Sequence, residues 1–214
     1  MMMNNDRYYV IHSQNTKKYP MMSAEIEPEL QFEYSKKFLD EKGNIKLINN
    51  RMECNLAPEK YRYEINLAEP IPIKPEFVDF HMYDCEQSVS GKFVKAFEGF
   101  SGIQFLQGTH GKVIEELKLD YYYIHYLYSI ECMDIDKSNA SVDSFGDIMT
   151  YQKLVLNYDI LNNIPEEQRL IFWLREDPMT FIVHQKFVDV YNEAGLKGAR
   201  FVPIEQYNEE TAFM

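Results

Sequence analysis

Val89-Ser90-Gly91-Lys92-Phe93-Val94-Lys95-Ala96-Phe97 and Val183-His184-Gln185-Lys186-Phe187-Val188-Asp189-Val190-Tyr191 are two versions of one pattern, and reading them decides the fold. After a two-residue difference in length, Gly102-Ile103-Gln104-Phe105 aligns with Gly198-Ala199-Arg200-Phe201. Phe93 and Phe97, like Phe187 and Tyr191, lie four apart, which places each pair on one helix face that must be buried against a sheet. The glycines end each helical unit or open the turn into the next strand, where a positive φ is often required. The spacing predicts an internal duplication, with helices over 89–97 and 185–194 and strands over 103–106 and 199–202. A hydrophobic stripe at helical period faces a core; its functional alternative is that the two related faces form one pseudo-symmetric groove.

Outward from the repeat, 77–80, 170–174 and 181–183 read as strands. Between the copies lies Tyr121-Tyr122-Tyr123-Ile124-His125-Tyr126-Leu127-Tyr128-Ser129-Ile130-Glu131-Cys132, the strongest strand signal in the chain. It is expected to be one long central strand, with Tyr122, Ile124, Tyr126, Tyr128, Ile130 and Cys132 on an apolar face and Tyr121, Tyr123, His125, Ser129 and Glu131 on a more polar one. Its tyrosines suit a half-buried sheet, and would equally suit a binding platform.

The N-terminal part opens with an apolar run, Tyr8-Tyr9-Val10-Ile11, that reads as a strand; from there to about Leu67 the pattern is weak. Pro28 interrupts 25–29, and Lys42-Gly43-Asn44 resembles a turn between short edge strands. Glu69-Pro70-Ile71-Pro72-Ile73-Lys74-Pro75 must be extended, because each proline fixes its own φ and displaces its predecessor from the helical region. It is the candidate connector between a strand-rich part, 1–75, and a better patterned part, 76–214, unless the two form one continuous domain. The expected class is α+β: a mixed or mainly antiparallel sheet, a few short helices and the helix–strand duplication.

The 214 residues are 45% hydrophobic and 14% aromatic, enough for a sizeable core. Lys+Arg 22 against Asp+Glu 34 gives a net charge of −12, which disfavours nucleic acid and anionic membranes and favours basic proteins. Cys54, Cys85 and Cys132 are widely spaced and contain no Cys-x-x-Cys, so neither a disulfide framework nor a zinc site is indicated and all three are expected reduced. The first residues lack the pattern of a secretory signal, and no segment approaches the ~20 apolar residues of a membrane span. A cytoplasmic protein is expected.

Signatures of catalysis are missing. Gly108-Thr109-His110-Gly111-Lys112-Val113 lacks the spacing and hydroxyl of a phosphate-binding loop, and the common hydrolase, zinc-protease and dinucleotide motifs do not occur. Glu131-Cys132-Met133-Asp134-Ile135-Asp136-Lys137-Ser138, followed by Asp143 and Asp147, is the most site-like stretch. If the strand continued, Asp134 and Asp136 would project on one side, as a hard cation or an acid–base pair requires. With Ser138, Asn139 and Ser141 nearby, a solvated strand end leading into a capped turn is the better account. His125 and Cys132, seven apart on one strand, would face opposite sides and could not hydrogen-bond. No cofactor and no metal are implied.

The stretches Val89-Ser90-Gly91-Lys92-Phe93, Ile103-Gln104-Phe105-Leu106, Glu131 to Ser138, Lys153-Leu154-Val155-Leu156, Ile171-Phe172-Trp173-Leu174 and Gly195-Leu196-Lys197-Gly198-Ala199-Arg200-Phe201-Val202-Pro203 resemble, in order and spacing, a bacterial family of polymorphic-toxin immunity proteins, the immunity MXAN type. The resemblance runs from about Phe77 to Val202 and transfers fold and role, with no toxin-binding residue. Gly91 and the short link Glu98-Gly99-Phe100-Ser101 depart from it in the first helix. It implies an intracellular protein that binds and neutralises a cognate toxin, and an acidic surface would steer a basic toxin, as many nucleases are. Asp134, Asp136, Glu205, Glu209 and Glu210, in the two locally acidic segments, are the expected partner-binding residues. The alternatives are a small enzyme using the loop around Asp134 and Asp136, and a structural interaction protein.

Overall fold

The computed structural model describes residues 7–14, 16–27, 33–34, 36–57, 60–83, 86–144 and 146–208. The N-terminal half contributes β1 (Tyr8–Ser13), β2 (Met21–Glu27), β3 (Glu33–Tyr34), β4 (Arg51–Asn55), β5 (Arg62–Ala68), β6 (Phe80–Tyr83), β7 (Glu86–Ser90), α1 (Gly91–Ala96) and β8 (Ile103–Gln107). There follow β9 (Thr109–His110), α2 (Lys112–Glu116), β10 (Tyr121–Tyr126), β11 (Tyr128–Ile130), α3 (Ile135–Ser138), β12 (Ala140–Val142) and β13 (Ile148–Tyr151). The chain closes with α4 (Tyr158–Asn162), β14 (Ile171–Leu174), β15 (Phe181–His184), α5 (Gln185–Glu193) and β16 (Ala199–Pro203). The fold is α+β, with short helices on mixed and antiparallel sheets. The sheet orders are β16-β1-β15-β14-β11-β4-β3, β6-β7-β10-β8, β2-β5-β9 and the separate hairpin β12-β13.

The duplicated unit is present and larger than its sequence signature. Both copies are a hairpin followed by a helix and a strand: β6-β7-α1-β8 and β14-β15-α5-β16. Each helix starts at the same point, with Ser90 Oγ accepting from Phe93 N at 3.2 Å and His184 Nδ1 accepting from Lys186 N at 3.2 Å. The helix N-termini are thereby capped by side-chain acceptors. The first helix is shorter than expected because residues 89–90 belong to β7; likewise the strand expected at 77–80 starts only at Phe80.

In each copy a third strand, antiparallel to both neighbours, lies between the two strands that flank the helix. In the first copy it is β10, paired Tyr121↔Ser90 and Ile124↔Phe105. In the second it is β1, paired Tyr8↔His184 and Ile11↔Phe201. The registers coincide, so Tyr8-Tyr9-Val10-Ile11-His12 stands where Tyr121-Tyr122-Tyr123-Ile124-His125 stands in the other copy. The chain is thus a tandem duplication of strand, hairpin, helix and strand in which each copy's leading strand completes the other copy's sheet.

A pseudo-twofold relation between the helices follows. Phe93 faces its equivalent Phe187 at 6.2 Å between ring centroids, and the reciprocal pairs Phe97–Phe187 and Phe93–Tyr191 lie at 4.4 and 6.2 Å. Each patch contacts the equivalent of its own partner, as in a self-complementary dimer interface. These four rings form the centre of a core that also buries Ile11, Phe80, Val89, Ile124, Ile171 and Val183. Asp79 ties the copies together at the rim, its Oδ1 accepting from Ser90 Oγ at 2.7 Å and its Oδ2 from Lys197 N at 2.9 Å.

The long central strand is not continuous. Leu127 N donates to Gly102 O and Cys54 N donates to Leu127 O, both at 2.9 Å, and at this crossing the chain passes from one sheet to another. β10 pairs with β7 and β8, whereas β11 pairs with β4 and, in parallel, with β14. Both faces of β10 are covered, so Tyr121, Tyr123 and His125 are as buried as Ile124 and Tyr126, and the expected polar face does not exist. The weakly patterned N-terminal region contains β2 and β5, paired over seven residues from Met21↔Ala68 to Glu27↔Arg62. Their inward residues Met22, Ala24, Tyr63 and Ile65 cover the face of β10 bearing Tyr121 and Tyr123. Ladders β1–β15, β1–β16 and β4–β11 cross the boundary expected near residue 75. Among the described residues no helix is long and apolar enough to cross a membrane.

Candidate partner-binding face

The acidic stretch after β11 leaves the sheet at once. Asp134 caps α3 instead of prolonging a strand: its Oδ1 accepts from Lys137 N at 3.1 Å and its Oδ2 from Lys137 Nζ at 2.7 Å. Both donations favour the ionised form, so its carboxyl sits below the usual carboxylate range. Asp136 lies exposed in the first turn of α3, favourably placed for the helix dipole, and does not share a strand face with Asp134. The capped turn, rather than the paired-carboxylate arrangement, is what this sequence builds. Among the described residues no three His, Cys, Asp or Glu side chains converge as a metal site would need.

Hairpin β12-β13 projects next to α3. An isolated two-stranded hairpin is marginal in water, and this one is anchored by Ala140, Ile148 and Tyr151 packing on the core. Tyr151 Oη also donates to Asp177 Oδ2 at 2.7 Å. The hairpin also exposes Val142 (46%) and Met149 (66%), and Met179 is 50% exposed. In the turn, Asp147 N donates to Asp143 Oδ1 at 3.0 Å and Asp143 N to Asp147 O at 2.9 Å, which fixes two carboxylates at the tip.

Between hairpin, α3 and the β14–β15 turn lies a cleft of about 630 Å³ whose lining includes Glu131, Val142, Asp147, Ile148, Arg175 and Glu176. Glu176 Oε1 accepts from Met133 N at 2.6 Å, while Oε2 is buried with no hydrogen-bond partner. Desolvation pushes this carboxyl up to about 6. The cleft therefore combines exposed apolar side chains with three carboxylates against Arg175.

The second acidic segment lies close by in the hydrogen-bond network. Asp134 N donates to Val155 O at 2.8 Å and Leu154 N donates to Tyr207 O at 3.2 Å, so the stretch Leu154–Val155 joins the two. Glu205 is exposed in a 3-10 turn, Ile204–Gln206, on the Tyr207 side of that stretch. Glu209 and Glu210 lie outside the described residues. Missing from the expected set are Glu131, Asp147, Glu176, Val142 and Met149. The clustering of Asp143 and Asp147 after the first acidic stretch carries their signal in the sequence, but Glu176 is brought in by the β14–β15 turn, which no spacing indicates.

The cysteines and histidines form a different arrangement. His125 meets Cys54, not Cys132, with Nε2 and Sγ 4.0 Å apart. Burial pushes the Cys54 thiol up to about 12 and His125 down to about 4, so neither thiolate nor imidazolium is present at neutral pH, and the pair lacks the charge that activates a nucleophile. Cys54 and Cys132 are free and buried; Cys85 lies outside the described residues.

No protein-family model matches the chain, and no curated protein matches it in sequence.

Proposed function

We propose that the protein is a cytoplasmic immunity protein that binds and neutralises a cognate bacterial toxin through the face formed by α3, hairpin β12-β13 and the adjoining cleft. The observation that supports this reading most directly is the cleft in which exposed Val142 and Asp147 stand with Glu131 and Glu176, while exposed Asp136, Met149 and Met179 each adjoin in the chain a residue of its lining, Ile135, Ile148 and Pro178. An apolar patch rimmed by charge is the composition of a protein interface. Carboxylates of one sign select a basic partner and accelerate its arrival.

The test uses the full chain, tagged at the N-terminus and expressed in its native host. Capture of a basic protein that kills cells when expressed alone, and spares them when co-expressed with this chain, is the expected result. Capture of no toxic protein, or toxicity undiminished by co-expression, would overturn the reading.

A further inference from the structure

The two copies of the duplicated unit finish their last strands differently. Among the described residues β16 and β8 each end a sheet. Gly198 O accepts from Gln14 N at 2.6 Å and Gly102 O from Leu127 N at 2.9 Å, each across the ladder to the neighbouring strand. Backbone groups alternate in direction along an antiparallel strand, so those of Ala199, Phe201 and Pro203 point away from the sheet, as do those of Ile103, Phe105 and Gln107. On β16 that outer edge is blunted twice: Ala199 N donates to Tyr191 Oη at 2.9 Å, and Pro203 has no N–H to offer. On β8 neither device exists. Phe97 stands where Tyr191 stands and has no oxygen, and Gln107 stands where Pro203 stands.

The edge of β8 is otherwise clear. Gln104 turns its amide to the face opposite α1, where it accepts from Leu56 N at 3.2 Å and donates to Leu56 O at 2.7 Å. Among the described residues no hydrogen bond reaches the outward groups of Ile103 and Phe105. Edge strands are usually protected by charge or proline, yet Ile103-Gln104-Phe105-Leu106-Gln107 carries neither in a chain that is 26% charged. Above this edge, between α1 and β8, lies a groove of about 540 Å³ whose apolar lining includes the part-exposed Val94, Phe100, Ile103 and Phe105. In the other copy Gln185 Nε2 donates to Asp189 Oδ1 at 2.8 Å, a polar pair that stands where Gly91 and Lys95 stand here.

We infer that β8 is a self-association edge: two molecules of this chain pair their β8 strands antiparallel across a twofold axis near Gln104, with Ile103 of each opposite Phe105 of the other. A second copy of the chain is the occupant that the charge favours. At a net charge of −12 most of the surface repels its own kind, whereas the charged residues lining this groove, Lys95 and Glu98, are one of each sign. In an isologous contact each such group is offered the opposite charge from the other molecule. The helices leave room for the contact. α1 lies over β7 and β10, so across the joined sheet two such helices stand at least three strand spacings apart, roughly 14 Å, beyond the about 8–10 Å of directly packed helices. The part-exposed side chains of the two grooves fill that gap. None of the groove residues lines the acidic cleft, and the inference is independent of the toxin reading.

The test uses the full chain in sedimentation velocity and amide hydrogen exchange, both followed from low micromolar to submillimolar concentration. The mass is expected to rise toward twice 25.4 kDa, with exchange at Ile103 and Phe105 slowing at least tenfold in step with it. Ile103→Lys, which places a charge on the half-buried edge, is expected to weaken association at least tenfold. Phe97→Tyr supplies the hydroxyl that blunts β16 and is expected to weaken it in the same direction, while Asp147→Asn on the acidic hairpin leaves it unchanged. A chain that stays monomeric throughout, or a dimer that forms with Ile103 and Phe105 exchanging as in the monomer, would overturn the proposal. So would Ile103 and Phe105 amides already protected in the monomer, or a dimer undiminished in a folded Ile103→Lys variant.

Discussion

Phe97 and Phe187 stack at 4.4 Å between ring centroids with planes 28° apart, and this contact has a counterpart in Phe93 and Tyr191 across the same helix pair. The two helices thereby close the duplicated halves on each other, and their aromatic centre is where stability should be most sensitive. Phe187→Ala removes a fully buried ring at the crossing and is expected to cost about 3–5 kcal/mol. In a double-mutant cycle, Phe97→Leu and Phe187→Leu should show a coupling of about 0.5–1.5 kcal/mol. Urea unfolding of the four proteins measures it; additive losses would mean that the halves do not depend on this contact.

Gly102 and Gly198 are equivalent turn residues with φ of +89° and +105°. At Gly198 a Cβ would lie 2.3 Å from Phe80 O, so both the backbone angle and the space demand glycine. Gly198→Ala should lose roughly 2–5 kcal/mol, combining the left-handed penalty with a backbone clash. Gly43, at φ +82° with nothing within 4 Å of the added atom, isolates the angular part, and Gly43→Ala should lose about 1–2 kcal/mol. Equal losses at the two positions would contradict the steric argument.

The equivalence of these glycines was legible in the sequence, as were both helices, because the aromatic pairs four apart, Phe93 with Phe97 and Phe187 with Tyr191, mark one helix face each. The exchange of leading strands was not. Tyr8-Tyr9-x-Ile11-His12 and Tyr121-Tyr122-x-Ile124-His125 do carry the signal, but five residues separated from their hairpins by insertions of unequal length do not announce a repeat. The break at Leu127 had no signal: every residue from Tyr121 to Ile130 suits a strand, and only the pairing of β10 and β11 with different sheets divides them. In β2 and β5 the two-residue alternation is present, yet small and charged residues such as Ser23, Ala24 and Glu64 dilute it. The cap role of Asp134 follows from its position before a short polar run, whereas the partnerless oxygen of Glu176 depends on tertiary folding.

His12, His81 and His125 are each depressed from 6.5 to about 4, with burial the leading cause. In the unfolded chain they take up protons near 6.5, so the unfolded state binds more protons between about pH 6.5 and 4, and stability falls as pH falls through that window. At ~1.4 kcal/mol per pKa unit, each contributes up to about 3 kcal/mol of loss. Glu176, raised from 4.5 to about 6, acts in the opposite sense between those values and only partly offsets it. Urea midpoints at pH 7.0 and 5.0 should differ accordingly, and His81→Asn should flatten the dependence. A midpoint that rises on acidification would refute this assignment.

The acidic face predicts a division of labour between charge and apolar contact. Asp136, Asp147 and Glu205 are exposed, so replacing them with Asn or Gln should leave folding intact and, on the function proposed above, lower the association rate with a toxin partner. Rim charges act on encounter more than on residence. The rate should also fall with salt, because the screening length shrinks from about 10 Å at 0.1 M to about 3 Å at 1 M. Val142→Ser and Met149→Ser remove apolar area from the hairpin and should act mainly on dissociation, since the buried centre of an interface sets residence time. Asp134 needs separate treatment: Asp134→Ser keeps a capping oxygen for α3 and removes the charge, whereas Asp134→Ala removes both. Stopped-flow association and cell protection, measured on the same variants, distinguish the contributions. Association unchanged after all three exposed carboxylates are neutralised, and insensitive to salt, would eliminate electrostatic steering; dissociation unchanged in Val142→Ser and Met149→Ser would remove the hairpin from the interface.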